Sequence, residues 1–111
     1  MRTTTATIYL YWIIFFVEKE GTPRYDELEL LGDEIAKDWM KLGRRLGVSV
    51  PIIEGINKAH VGLSEKGYHM LQYWKQEKCS AATYRALSEA LQHTRVQRKD
   101  LAVKFCYING N

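Results

Sequence analysis

Apolar residues follow two unlike patterns along this chain. Residues 8 to 17, IYLYWIIFFV, form an unbroken run without charge. From about Asp26 onward, apolar positions recur every three or four residues, the spacing of α-helices that bury one face. Leu28, Leu31 and Ile35 make a first stripe. Trp39, Leu42 and Leu46 make a second, with Asp38 placed to cap its start and Gly47 to end it. Ser49 is placed to cap a short third helix, with Pro51 in the first turn, where a missing N–H does no harm. Its stripe is Ile52, Ile53, Ile56 and Ala59. After Gly62, a fourth helix over about Leu63 to Lys78 carries Leu63, Gly67, Met70, Leu71 and Trp74 on one side. Ser80 is expected to cap a fifth, where Tyr84, Leu87 and Leu91 align. A sixth starts near Arg98 and aligns Leu101, Ala102, Phe105 and Ile108.

Helices this short are not stable alone, so their stripes must be buried against one another. The pattern predicts an all-α fold, a six-helix antiparallel bundle over residues 23–111. The expected core is Leu31, Ile35, Trp39, Leu42, Leu46, Ile53, Ile56, Leu71, Trp74, Leu87, Leu91, Leu101 and Phe105, with the two tryptophans largest. Residues 18–25, EKEGTPRY, carry Gly21 and Pro23 and break the chain before the bundle. Residues 1–22 are therefore set apart as a short hydrophobic N-terminal extension.

The chain has 111 residues, enough for one compact core. Hydrophobic content of 46% with 26% charged residues argues against general disorder. The net charge of +3 is too mild to identify a partner, so its distribution matters more. On the first helix Asp26, Glu29 and Asp33 lie at i, i+3, i+7, away from the apolar stripe and flanked by Glu27 and Glu34. On the second, Lys41, Arg44 and Arg45 face away from Trp39 and Leu42, with Lys37 just before. Every soluble helix has a solvated outer face. Segregation by sign is what raises a second reading, in which the acidic side of one copy meets the basic side of the next. Such contacts are heterologous and build rings or stacks, and salt weakens them.

Candidates for catalysis or metal binding are thin. His60, His69 and His93 fall in different segments, without an HxxxH pair or a nearby cysteine. Cys79 and Cys106 are not in a CxxC pair and read as reduced thiols of an intracellular protein. Cys79 lies near a predicted helix start, where a thiolate is favoured, although a loop or capping residue is the simpler reading. No GxGxxG, P-loop or GxSxG occurs. The sequence predicts no enzyme activity, no metal and no cofactor.

The ordered segments carry a resemblance. DWMKLGRRLGVS, with its Trp-x-x-Leu-x-x-x-Leu-Gly run, resembles the second helix of a death domain. LSEKGYHMLQYWKQE resembles the fourth helix, followed by AATYRALSEAL and RKDLA at Arg98 to Ala102. The likeness spans about Tyr25 to Tyr107. Three departures are Gly43, Gly67 and Val103, and the glycines imply either a less stable bundle or close helix contacts. The resemblance implies the death fold and a non-catalytic adaptor. Such a module assembles with other death-domain proteins, or with itself, in apoptotic or innate-immune signal transduction. It further implies asymmetric contacts. One would pair an acidic face of Asp26, Glu29, Asp33, Glu34 and Glu65 with a basic face of Lys37, Lys41, Arg44 and Arg45. A second would join the loop after the fourth helix, with Lys75 and Lys78, to the region of Arg95, Arg98 and Asp100.

Two other classes stay open. A nucleic-acid-binding helical domain would use Lys41, Arg44 and Arg45, though nucleic acid is the less favoured partner. A membrane-tethered receptor fragment would use residues 8–17. Even counted from Thr3 to Val17, the uncharged span makes a helix of about 22 Å at ~1.5 Å per residue, against a hydrocarbon core of ~30 Å. Lys19 and Arg24 follow it, as positive-inside topology wants. As a secretion signal it lacks a small-residue cleavage site in VEKEG. An element lying on the bundle, or sequence outside the evolved domain, completes the alternatives. The expected location is the cytoplasm, with membrane association through the run left open.

Overall fold

In the computed structural model residues 17–108 are described, and among them the chain forms six α-helices. These are α1 Tyr25–Ile35, α2 Trp39–Arg45, α3 Val50–Ala59, α4 Leu63–Lys78, α5 Tyr84–Gln92 and α6 Lys99–Cys106. Short 3₁₀ turns, Ala36–Asp38 and Cys79–Ala81, link α1 to α2 and lead out of α4. The only β-pairing among the described residues is an isolated antiparallel bridge between Glu18 and Tyr107. Over the described residues the chain is all-α, a six-helix bundle.

Helix α4 is the axis of the packing. Its apolar face meets α1, α2 and α3, while α5 and α6 pair with each other and close the far side. Leu28, Leu31 and Ile35 from α1, Trp39 and Leu42 from α2, Met70, Leu71 and Trp74 from α4, and Leu87 and Leu91 from α5 form one buried cluster. Leu46, Ile53, Leu101 and Phe105 are buried in it too, and Ile56 packs against its edge. A fully buried large side chain contributes roughly 1.5–3 kcal/mol relative to exposure, so this cluster holds together helices too short to persist alone.

Two glycines set the α1–α4 distance. A Cβ on Gly32 would stand 2.8 Å from the Tyr68 backbone nitrogen, and one on Gly67 3.1 Å from the Gly32 carbonyl oxygen. Gly43 is similarly tight, 3.1 Å from the Met70 side chain. Of the two outcomes the glycines allowed, the structure has close helix contacts. Gly47, at φ +83°, ends α2 as a left-handed residue.

The caps differ from expectation at several positions. Asp38 makes no cap bond, because its carboxylate turns to Arg98 at 3.4 Å. Ser49 occupies the N-cap of α3 without a side-chain cap bond. Ser80 does not cap α5: the Cys79–Ala81 turn intervenes, and Thr83 Oγ1 accepts the Ala86 N–H at 3.0 Å instead. Cys79 consequently follows the C-terminus of α4 and does not stand at the start of an α-helix. At the ends of three stripes Leu63, Ala59 and Ile108 are exposed. Ile108 lies beyond α6, where the chain has become extended to pair with the N-terminal segment.

That segment belongs to the fold. Lys19 N–H donates to the Cys106 carbonyl at 2.8 Å, Ile108 N–H to Val17 at 2.8 Å, and Tyr84 N–H to Gly21 at 3.0 Å. Residues 17–22, grouped with the apolar extension in the sequence, are thus fastened to α5 and α6. The apolar run from Ile8 to Phe16 lies outside the described residues. Among the described residues no helix is long and apolar enough to cross a membrane.

Candidate functional site

Helix α2 is short, and its two sides are chemically opposite. Trp39, Leu42 and Gly43 face the core, while Lys41, Arg44 and Arg45 are exposed. The last two lie in the final turn, where cations are favoured by the carbonyl ends of the helix. Two clefts of about 590 and 610 Å³ open on this side, and Arg44 and Arg45 line both. The first is shared with Trp74, Lys78, Glu89 and His93, and the second with Lys41, Arg95 and Gln97. The fold therefore gathers Lys41, Arg44, Arg45, Lys78 and Arg95 onto one surface, with Lys37 exposed just before α2. Among the described residues none of these six cations has an ion-pair partner.

Residues on α1 are more engaged. Glu29 and Asp33 are exposed and lack partners among the described residues. Asp26 takes the Arg24 guanidinium at 3.0 Å, and that bond holds its carboxyl below the usual range. Glu34 accepts from Lys104 at 2.7 Å, leaving Oε2 buried without a partner. Glu65 lies in the first turn of α4, 3.5 Å from His69 Nε2.

The other contact inferred from the resemblance is divided. Lys78 and Arg95 join the basic surface. Lys75 instead points toward the start of α1, donating to Thr22 Oγ1 at 3.3 Å and to the Pro23 carbonyl, with its Nζ 5.0 Å from the Tyr25 ring centroid. Arg98 grips Asp100 through Nε and Nη2 at 3.1 and 3.2 Å, and Nη1 reaches Asp38 and the Glu34 carbonyl at 3.4 Å. Arg98 thereby ties α6 to the C-terminal end of α1.

Among the described residues Glu27 is the one buried carboxylate. Burial alone would raise its pKa, but the Tyr84 hydroxyl, the Arg24 N–H at 3.0 Å and the Lys19 ammonium at 3.1 Å together bring it below the usual value. Tyr84 is correspondingly pushed up to about 12, by burial and by the carboxylate that accepts its proton. The network joins residues 17–22, α1 and α5. Cys106 is buried and its thiol is pushed up to about 12, chiefly by burial, so it is inert at neutral pH.

One grouping is missed by sequence spacing alone. His60, Glu65 and His69 lie together, with one potential ligand atom from each within 4.8 Å of the others. Glu65 and His69 are one helical turn apart on α4, and this i, i+4 pair was the signal available. His60 joins them only because the connection after α3 folds back.

Arranged this way, the surface can attract an acidic partner. A family model described as Death domain matches residues 25–107. No curated protein and no solved structure is detectably similar to the chain.

Proposed function

The chain belongs to the death-domain family of non-catalytic protein-interaction modules, and we propose that it docks its basic α2 surface onto the acidic α1–α4 side of another death domain. The assembly serves apoptotic or innate-immune signalling, with the chain acting as a cytoplasmic adaptor. Two free thiols, one of them exposed, suit a reducing compartment.

The observation that carries this reading is the contrast in pairing. Lys37, Lys41, Arg44, Arg45, Lys78 and Arg95 have no ion-pair partner among the described residues, whereas Lys19, Arg98 and Lys104 each hold a carboxylate. On α1, Glu29 and Asp33 are exposed and without an ion-pair partner among the described residues, and Glu65 stands at the start of α4. Because the two faces are on different helices, a second copy can supply either one. Charges of this kind contribute orientation and on-rate more than raw affinity.

Sedimentation of the full chain across a salt series tests it. Higher-order species at low salt should dissociate as salt rises. Arg44→Glu and Asp33→Arg should each leave monomers. An equimolar mixture of these two variants should form dimers and nothing larger, since only one intact pair of faces remains. A monomer at low salt that also ignores every death-domain partner offered would sink the proposal. Binding to duplex DNA with a steep salt slope would favour the nucleic-acid reading.

A further inference from the structure

We propose that His60, Glu65 and His69 form a site for a divalent transition-metal ion, of the class that zinc represents. The inference goes beyond the docking reading and stands without it.

The donors come from both sides of the α3–α4 connection. His60 follows α3, and its N–H is anchored to the Ile56 carbonyl at 3.2 Å. Glu65 and His69 share one side of α4 at i, i+4 spacing, with Oε2 3.5 Å from Nε2. The imidazoles of His60 and His69 lie with centroids 3.8 Å apart and planes 11° from parallel. Both are half-buried, and Glu65 is exposed, so solvent has an entry path. Two imidazole nitrogens and one carboxylate oxygen make a donor set suited to Zn²⁺, Ni²⁺ or Cu²⁺ rather than to Ca²⁺ or Mg²⁺.

Ligation asks for a small rearrangement. Stacked rings aim their lone pairs side by side, so each must turn about its Cβ–Cγ bond, a broad torsion for an imidazole. A Zn–N distance of ~2.1 Å also requires the donors to draw in from their 4.8 Å spread. The connecting residues allow it: a Cβ at Gly62 would meet nothing within 4 Å, and Val61 is 97% exposed. Three protein ligands leave a position for water or for a carboxylate of another chain. The two histidines also end a shallow groove of about 430 Å³ between α3 and α4, which gives that fourth ligand room.

A bound dication would change the local charge around Glu65 from negative to positive. On the docking reading, that would weaken attraction between this corner and a basic α2 surface, or replace it with a metal-bridged carboxylate. Metal binding and assembly are separately measurable, so either can fail alone.

The test is titration of the chelator-treated full chain with Co²⁺, followed by absorption, and with Zn²⁺ in competition. One saturable equivalent is expected. His60→Ala and His69→Ala should each weaken affinity by at least ~10-fold, a loss already typical when only a supporting group is removed. Glu65→Gln should weaken it less. Cys79→Ser and His93→Gln should leave it unchanged. Should an alanine variant lose its helical circular dichroism, imidazole ¹⁵N shifts in the unmutated chain decide: Zn²⁺ should move His60 and His69 and spare His93. Absence of saturable binding overturns the proposal. So does binding that survives both alanine variants or is lost with Cys79→Ser.

Discussion

Basic side chains meet two different fates in this molecule. Around α1 they are bound: Lys19 to Glu27, Arg98 to Asp100 and Asp38, Lys104 to Glu34, and Lys75 to Thr22 and the Pro23 carbonyl. Around α2 the same residue types stand over open clefts and, among the described residues, form no ion pair. The α1 side uses charge to fasten elements together, and it lies over the seam where Gly32 and Gly67 let two helix backbones touch. The α2 side contributes its apolar half to the core and leaves the other half exposed. Residue type does not separate these roles; placement does.

Substitutions should separate the regions by their effect on stability. The largest belongs to the seam. Gly32→Ala improves intrinsic helix propensity by about 1 kcal/mol, but its Cβ would meet Tyr68 backbone at 2.8 Å. Overpacking of this kind costs roughly 1–3 kcal/mol, and backbone cannot swing aside as a side chain can. Urea denaturation should show a net loss, with Gly67→Ala milder because its nearest contact is 3.1 Å.

Next comes Glu27. Replacement by Ala strands the Lys19 ammonium, the Arg24 N–H and the Tyr84 hydroxyl, a loss of about 1–3 kcal/mol. Its pH dependence has a definite sign. The folded pKa lies below the unfolded value near 4.5, so the stabilisation is present above that value and fades as pH falls through the folded pKa. An acid titration of thermal stability should therefore show a falling limb below about pH 4.5 that flattens in Glu27→Gln.

Smaller again, Arg98→Ala should cost about 1 kcal/mol, since its pairs are only partly buried. It should leave sedimentation unchanged. The smallest stability effect is expected on α2, where Arg44→Glu should fall within about 0.5 kcal/mol of the parent by thermal melting. That same variant should cause the greatest loss of assembly. If Arg44→Glu unfolds the domain instead, the two fates are not distinct.

Helix existence was legible in the sequence because the stripes are strong: α4 begins at Leu63 and ends at Lys78, as the pattern alone predicts. What the pattern could not supply was the chain's behaviour between stripes. The pattern places the cap of α5 at Ser80, but the 3₁₀ turn at Cys79–Ala81 delays the helix start to Tyr84 and gives the cap to Thr83. Asp38 is in position to cap, yet Arg98 comes from sixty residues away to claim it. Ile108 continues the spacing of α6, but the helix stops at Cys106 for a pairing with Glu18 that no local window contains. The basic surface was half legible. Lys41, Arg44 and Arg45 share a short segment, whereas Lys78 and Arg95 reach it only through the packing of α4 and α5. The histidine cluster was illegible for the same reason, since one of its three members arrives from another element.

Ile108 N–H donates to the Val17 carbonyl at 2.8 Å, so the two ends of the described segment lie side by side. A mechanical load applied between the flanks would first unzip this short backbone pairing and leave the helices untouched. A linker of a few residues joining these two positions, with new ends cut elsewhere, should yield a permuted chain with the same fold.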